Sequence, residues 1–291
     1  MPFGQSRYED VNALLNAKFA EKKVLICAHR GSWHGNVIQN TTIAYRAALM
    51  QGADIVETDT TATRDGEVFS LHDGVEWRLF GQPRSGLKLT GERLASLDTL
   101  NALGEPSAHP AQRLGEVFDF LTHGELINVD RIWRAKDLVL PLLDKYPHML
   151  RQAILKAPPD ATAIYEQLEN HPVKYMFMPI CRSYREIEEA LSYKNINTVG
   201  VEMIAATEKD ELYQDEAFRY VHDKGLFCWV NALTLSGRYA ETALFGELDD
   251  DNSIWRGPAQ GWGRLMDKGV DAIQTDWPAL VRDYRKERMG V

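Results

Sequence analysis

Eight short apolar runs alternating with helical stretches predict a (β/α)₈ TIM barrel, an α/β fold, for this 291-residue chain. Three observations carry that reading. The runs lack the strict apolar–polar alternation of half-exposed strands, as expected of parallel strands covered on both faces. Helical segments separate most of them. Eight repeats of that alternation fit the roughly 250 residues of one such barrel. Residues 1–291 are therefore expected to form a single domain. A doubly wound open sheet is the alternative use of the same alternation.

Taken in order, the N-terminal stretch MPFGQSRYEDVNALLNAKFAEKK reads as an amphipathic helix and lacks the apolar centre of a signal peptide. Strands are expected at Val24–Ala28, Asp54–Thr58, Leu126–Ile132, Ala153–Lys156, Tyr175–Ile180, Thr198–Met203, Leu226–Val230 and Ala272–Thr275. Helices are expected over Thr41–Gln51, stopped by Gly52, over Ser183–Tyr193, and over Asp210–Lys224, stopped by Gly225. Arg64-Asp65-Gly66 is a turn signal. It makes Thr60–His72 a small hairpin on the second strand, returning His72 and Asp73 to that strand's end. Two stretches break the rhythm: Gly74–Gln112, rich in Gly, Pro, Arg and Leu, and Gly246–Gly263, acidic and then rich in Gly and Trp. Both are expected as long loops, the first an insertion over the mouth of the barrel.

The net charge of −9 argues against nucleic acid as a partner, which demands a positive footprint, and against charge-driven binding to anionic membranes. It does not exclude a small phosphate ester, because a bound metal ion reverses the local field. No apolar run reaches the roughly 18 residues of a transmembrane segment. The three cysteines, Cys27, Cys181 and Cys228, each lie in a strand-like run and show no zinc spacing. They read as buried free thiols in a reducing compartment, which makes the cytoplasm the expected location.

Chemistry concentrates between Cys27 and Asp73. His29-Arg30-Gly31 ends the first strand, where barrel side chains face the mouth. Histidine exchanges a proton near neutral pH, arginine grips a phosphate, and glycine permits close backbone approach. Glu57 and Asp59 stand at i and i+2 on the second strand and so share a face. Two carboxylates that close call for compensation, and a divalent cation is the usual one. His72 offers the second half of an acid–base couple. Each feature alone has an ordinary structural reading, a satisfied histidine or a strand-end ion pair; their coincidence is the signal.

As a set, these residues resemble the glycerophosphodiester phosphodiesterases: HRG at His29–Gly31, QNT at Gln39–Thr41, GADIVETD at Gly52–Asp59, Thr63 with Arg64–Gly66, the His72-Asp73 pair and the closing IQTDWP at Ile273–Pro278. The resemblance implies a barrel carrying a divalent metal ion, magnesium or calcium, with His29 and His72 flanking the scissile phosphate. It implies Glu57, Asp59 and, from INVD, Asp130 as metal ligands, with Arg30 on a phosphate oxygen. Three departures stand out. Gln39 replaces the family's usual Glu, Asp130 its usual Glu on the third strand, and Ile132 its phosphate-binding Lys. Lys156 at the end of the next strand is expected to supply that missing charge, the alternative being a salt bridge at the barrel mouth. Trp229 and Glu202, near strand ends, are candidates to line the substrate pocket, Glu202 having a strand-end ion pair as its alternative. His34 in the first loop is a weaker candidate. His109, His123, His148, His171 and His222 are expected at the surface.

The expected function is metal-dependent hydrolysis of a phosphodiester, giving glycerol 3-phosphate and an alcohol, with His29 as base and His72 as acid. The expected partner is a small-molecule phosphodiester; oligomeric state is left open. The departures keep a sugar phosphodiester or a lysophospholipid headgroup as alternative substrates. A barrel that binds without catalysis is the alternative of another class, opposed by the retention of both histidines and all three acids.

Overall fold

The computed structural model describes residues 2–81, 85, 88–233 and 243–291. Eight parallel strands form the barrel: β1 (Leu25–Ala28), β2 (Ile55–Ala62), β3 (Leu126–Asp130), β4 (Ala153–Ala157), β5 (Met176–Cys181), β6 (Gly200–Met203), β7 (Phe227–Asn231) and β8 (Ala272–Thr275). Each pairs with its sequence neighbours, and β1 pairs with both β2 and β8, which closes the ring. All eight expected strands are present with ends shifted by a few residues. The largest shift is in β2. It runs on to Ala62 because its last turn of chain pairs antiparallel with Val68–Ser70, Thr60 opposite Ser70.

Alternation along each strand sorts side chains between two cores. Inward residues Leu25, Ile55, Leu126, Ile154, Met176, Phe227 and Trp229 form an apolar plug in the barrel. The N-terminal helix α1 (Glu9–Lys22) adds Leu15 and Phe19 to that plug, so it closes the end of the barrel where the strands begin. Outward residues such as Val56, Ile127, Leu155 and Phe177 pack under the surrounding helices. Gly200 is required by this packing, since a Cβ there would lie 2.4 Å from the Phe227 ring.

The two irregular stretches carry more structure than expected. Between Gly74 and Gln112 lie the one-turn helices Glu76–Phe80 and Gly91–Ala95 and a ladder pairing Thr99–Leu100 with Pro106–Ser107. Part of that stretch falls outside the described residues. Within Gly246–Gly263, Asp250–Trp255 is helical. Such elements are too short to show periodicity in a sequence. The expected helix Asp210–Lys224 also divides, into a 3₁₀ turn at Glu211–Tyr213 and a helix over Asp215–Asp223. Among the described residues, no helix is long and apolar enough to cross a membrane.

Candidate active site

At the C-terminal ends of the strands the inward face changes from apolar to charged. Parallel register places Glu57 beside Asn128 and Asp59 beside Asp130. Neighbouring strands are about 4.8 Å apart, and oxygens of Glu57, Asp59 and Asp130 all lie within 4.8 Å of one another. Lys156 on β4 reaches Asp130 Oδ2 at 3.2 Å and Glu202 Oε2 at 2.9 Å. Asn231 donates to the other Glu202 oxygen at 2.7 Å and accepts from the Trp229 indole at 3.0 Å.

The loop after β1 is built to hold these acids. Arg30 has a left-handed backbone, φ 56°, which aims its N–H at Glu57 Oε2, 2.7 Å away. Gly31 must be glycine: φ is +77°, and a Cβ would come within 2.6 Å of the Ala44 backbone. The Arg30 side chain contacts Asp59 Oδ2 at 2.9 Å through Nε and donates through Nη1 to Gln39 Oε1 at 2.8 Å. Asn40, also left-handed, clamps Asp59 twice: Nδ2 donates to its carboxylate and Oδ1 accepts its backbone N–H. Thr41 then caps the helix Thr42–Met50. Thus Gln39-Asn40-Thr41 fixes one arginine, one acid and one helix start in succession. Arg131, the residue after Asp130, is left-handed too and pairs with Asp73. Strained backbone gathered around one mouth is a frequent mark of a functional site.

Electrostatics separate the three acids. Burial and the repulsion of Asp59 push the Glu57 carboxyl well above the usual carboxylate range. Burial also raises Asp130, against the pull of Lys156. Burial opposes ionisation of Asp59 as well, but Arg30, His72 and the Asn40 hydrogen bond outweigh it and hold that carboxyl low. The Lys156 ammonium is stabilised by Asp130, Glu202 and Glu57 in spite of its burial. Glu57 Oε1 is buried and has no hydrogen-bond partner. A buried carboxylate oxygen facing two further carboxylates suits a hard divalent cation with oxygen ligands, so the donor set fits a metal ion.

Both histidines are half-buried at this mouth, and both act electrostatically on Asp59. His29 Nδ1 bonds Asp276 Oδ1 at 2.9 Å, and His72 Nδ1 donates to the Asp73 carbonyl at 2.6 Å. Each ring is thereby fixed with Nε2 as its free nitrogen. Burial lowers the His72 pKa, with Arg30 and Arg131 adding to the effect against Asp59. Behind Asp276 stands the buried Asp250. It accepts from the Asp276 backbone N–H, the Thr275 hydroxyl and the Trp262 indole, and burial pushes it up to about 7.

The structure thus brings His29, Arg30, Glu57, Asp59, His72, Asp130, Lys156 and Glu202 to one end of the barrel. Trp229 and Glu202, expected near the substrate pocket, are both buried in this structure. Trp229 is 0% exposed and belongs to the apolar plug, and Glu202 is held 3% exposed in its ion pair with Lys156. Lys156 is itself 2% exposed, so the salt-bridge geometry is the one observed. Ile132 packs in the outer core. His34 is exposed and stacks on Trp277 with ring centroids 5.4 Å apart. Of the five histidines expected at the surface only His123 is fully exposed. His148, His171 and His222 are half-buried and bonded to the Phe118 carbonyl, Asp144 and Asp271. His222, Cys228 and Asp271 also form a potential ligand cluster, near the opposite end of β7 and β8. There one Asp271 oxygen already accepts from the Cys228 N–H and contacts the His222 ring.

Sequence reasoning missed Asn40, Asp276 and Asp250. Asn40 and Asp276 lay within the motifs QNT and IQTDWP, and their polar character at a strand end or loop start was the available signal. Asp250 lay in an acidic run with nothing to single it out.

Similarity to known proteins agrees with this geometry. A family model for the glycerophosphoryl diester phosphodiesterase family matches residues 29–152, and one described only as a domain of unknown function matches residues 177–285. A glycerophosphodiester phosphodiesterase of Bacillus altitudinis is 48% identical over 270 residues, covering 90% of this chain and 98% of that protein. Another, from Caldanaerobacter subterraneus, is 33% identical over 110 residues, 37% of this chain and 45% of that protein. Among solved structures, a glycerophosphoryl diester phosphodiesterase from Parabacteroides distasonis superposes with a TM-score of 0.70 at 15% identity, covering 96% of this chain and 92% of that one. A phosphodiesterase from Oleispira antarctica, in complex with the product sn-glycerol 3-phosphate, does so at 0.64 and 14% identity, covering 89% and 95%. These low identities speak for the shared barrel. The extent and identity of the Bacillus match show that this chain belongs to the glycerophosphodiester phosphodiesterase family, a family of phosphoric diester hydrolases.

Proposed function

We propose that this chain hydrolyses a glycerophosphodiester to glycerol 3-phosphate and an alcohol, using a divalent cation, Mg²⁺ or Ca²⁺, held by Glu57, Asp59 and Asp130. The observation that carries the reading is the meeting of two tautomer-fixed histidines with a three-carboxylate cluster whose Glu57 Oε1 has no partner. The Oleispira enzyme's product is consistent with it. When bound, the cation supplies positive charge to a nonbridging phosphate oxygen and stabilises the charge that develops there.

The chain's own residues do the rest. Arg30, anchored on Asp59 and Gln39, offers the remaining N–H groups of its fork to a phosphate oxygen. His29 removes the proton of the attacking oxygen at Nε2, and Asp276 stabilises the imidazolium that forms. His72 delivers a proton at Nε2 to the departing alkoxide as the phosphorus–oxygen bond breaks. An anionic substrate beside it offsets the burial and arginine charges that disfavour its protonated form. Lys156 keeps Asp130 and Glu202 in place beneath the phosphate. The three buried free thiols suit a cytoplasmic setting.

The test is release of glycerol 3-phosphate from a panel of glycerophosphodiesters with added Mg²⁺ or Ca²⁺. No turnover with any diester and either cation leaves a binding barrel. Exhaustive chelation is expected to abolish activity. The cation should also be visible without turnover. In chelator, Glu57→Gln removes a buried repulsive carboxylate worth about 1–3 kcal/mol and melts several degrees above the wild type. That advantage shrinks as pH falls, because the raised Glu57 carboxyl of the wild type is then protonated in the fold. Added Mg²⁺ should raise the melting temperature of the wild type and not of the variant. A variant that melts lower in chelator sinks the carboxylate-cluster argument.

Asp276→Asn is expected to lower kcat by roughly 10–10²-fold, within the range set by loss of support to a catalytic base. With the carboxylate gone, the His29 ring loses the partner that orients its Nδ1, so Asp276→Glu, which keeps a carboxylate, should retain more activity than Asp276→Asn. Equal losses of kcat in the two variants would assign Asp276 to structure alone.

A further inference from the structure

A cleft of about 710 Å³ opens outward from His29, Arg30 and Asp276. Its floor is the catalytic end of the site. One outer wall is the loop after β1, with Trp33 and Ile38, and the other is the insertion, with Trp77, Arg78 and Leu100. Trp77 is 58% exposed, an unusual state for so large an apolar side chain, and the Arg78 guanidinium lies 5.0 Å from its ring centroid.

Charge in this cleft is unevenly distributed. At its inner end Arg30 is paired with Asp59, and Asp276 with His29. On the outer wall Arg78 is exposed and makes no ion pair with any described residue, and among the described residues no carboxylate other than Asp276 lines the cleft. A quaternary ammonium would ordinarily seek an exposed indole face. Here that face already carries a guanidinium, so a cationic group meets repulsion where it would otherwise find its partner.

We propose that this cleft seats the leaving alcohol, and that Arg78 on Trp77 makes the site select an alcohol bearing its own negative charge over a cationic one. The inference rests on the phosphodiesterase reading above and adds the class of leaving group. The apolar side of the cleft holds the carbon skeleton, while Arg78 pairs with a phosphate or carboxylate on it. The insertion is thus the part of the chain that sets substrate preference, as befits a segment added to a common barrel.

The experiment compares kcat/KM for three diesters that share the glycerophosphate half: glycerophosphocholine, glycerophosphoinositol and glycerophosphoinositol 4-phosphate. The wild type should prefer the phosphorylated inositol, then inositol, then choline. Arg78→Glu should reverse the first and last, each changing about tenfold, the scale of a charge-assisted contact in a partly open site. Arg78→Lys should keep the wild-type order, and turnover of the neutral inositol diester should stay within about twofold in both variants, because Arg78 does not touch the phosphate being cleaved. An unchanged order in Arg78→Glu, with normal hydrolysis of the neutral diester, overturns the inference and leaves the phosphodiesterase reading standing. Failure of the wild type to cleave any of the three, with Mg²⁺ or Ca²⁺ present, overturns both.

Discussion

Replacing His29 or His72 by alanine should lower kcat by at least roughly 10²-fold, the usual scale of general acid–base catalysis. The loss should be purely catalytic. Both rings sit at the C-terminal end of the barrel, where residues serve the site more than the fold, and neither belongs to an apolar core. The two variants should differ in character. His29→Ala leaves Asp276 without its partner, so exogenous imidazole, which can occupy the same space and take the same proton, is expected to restore part of its activity. His72→Ala should suffer most with alcohols that are poor leaving groups and least with an activated one such as nitrophenol, because a good leaving group departs without a proton. Near wild-type turnover in either variant, with a far-ultraviolet spectrum unchanged, would make that histidine structural.

Lys156→Met should be the most destabilising single change at the mouth, by about 3–5 kcal/mol, the range for breaking a buried ion pair by removing one partner. Lys156 is buried between Asp130 and Glu202, and Glu57 adds to the field that keeps it charged. Methionine retains the stem and leaves buried carboxylates with no cation. The sign of the pH dependence follows. In the variant the raised Asp130 and Glu57 carboxyls bind protons more tightly folded than unfolded, so the destabilisation is greatest near neutral pH and diminishes as pH falls toward the unfolded carboxylate range. Adding Glu202→Gln to Lys156→Met should recover part of the stability. Urea unfolding of the single and double variants at pH 5 and pH 8 reads this directly. A single variant as stable as wild type at pH 8 would mean that the network is solvated.

The two histidine variants and the lysine variant probe different kinds of information in the chain. The barrel was legible from the sequence because burial on both faces imposes uninterrupted apolar runs, and the right-handed crossover imposes a helix between them. The shared face of Glu57 and Asp59 was legible because strand geometry alternates strictly. The return of His72 to the mouth was legible from one turn signal, Arg64–Gly66. Each of these is a local rule acting within some ten residues.

What the sequence could not decide was which distant groups would meet. Asp276 lies 247 residues from His29, and only the pairing of β8 with β1 makes them neighbours. In the sequence, Lys156 reads as a replacement for the family's missing phosphate-binding lysine, and Trp229 as pocket lining from its place near a strand end. Yet a side chain at a strand end either rises into the mouth or turns down into the barrel, and that depends on where the apolar plug stops. Trp229 fills that plug, and the carboxylates of Asp130 and Glu202 draw the lysine between them. Sequence determined the fold and singled out the two histidines and the acids of the second and third strands, because those follow from periodicity and motif. Tertiary structure alone decided the partners of His29 and Lys156 and the walls of the cleft, because contact energy between residues far apart in the chain exists only once the barrel has closed.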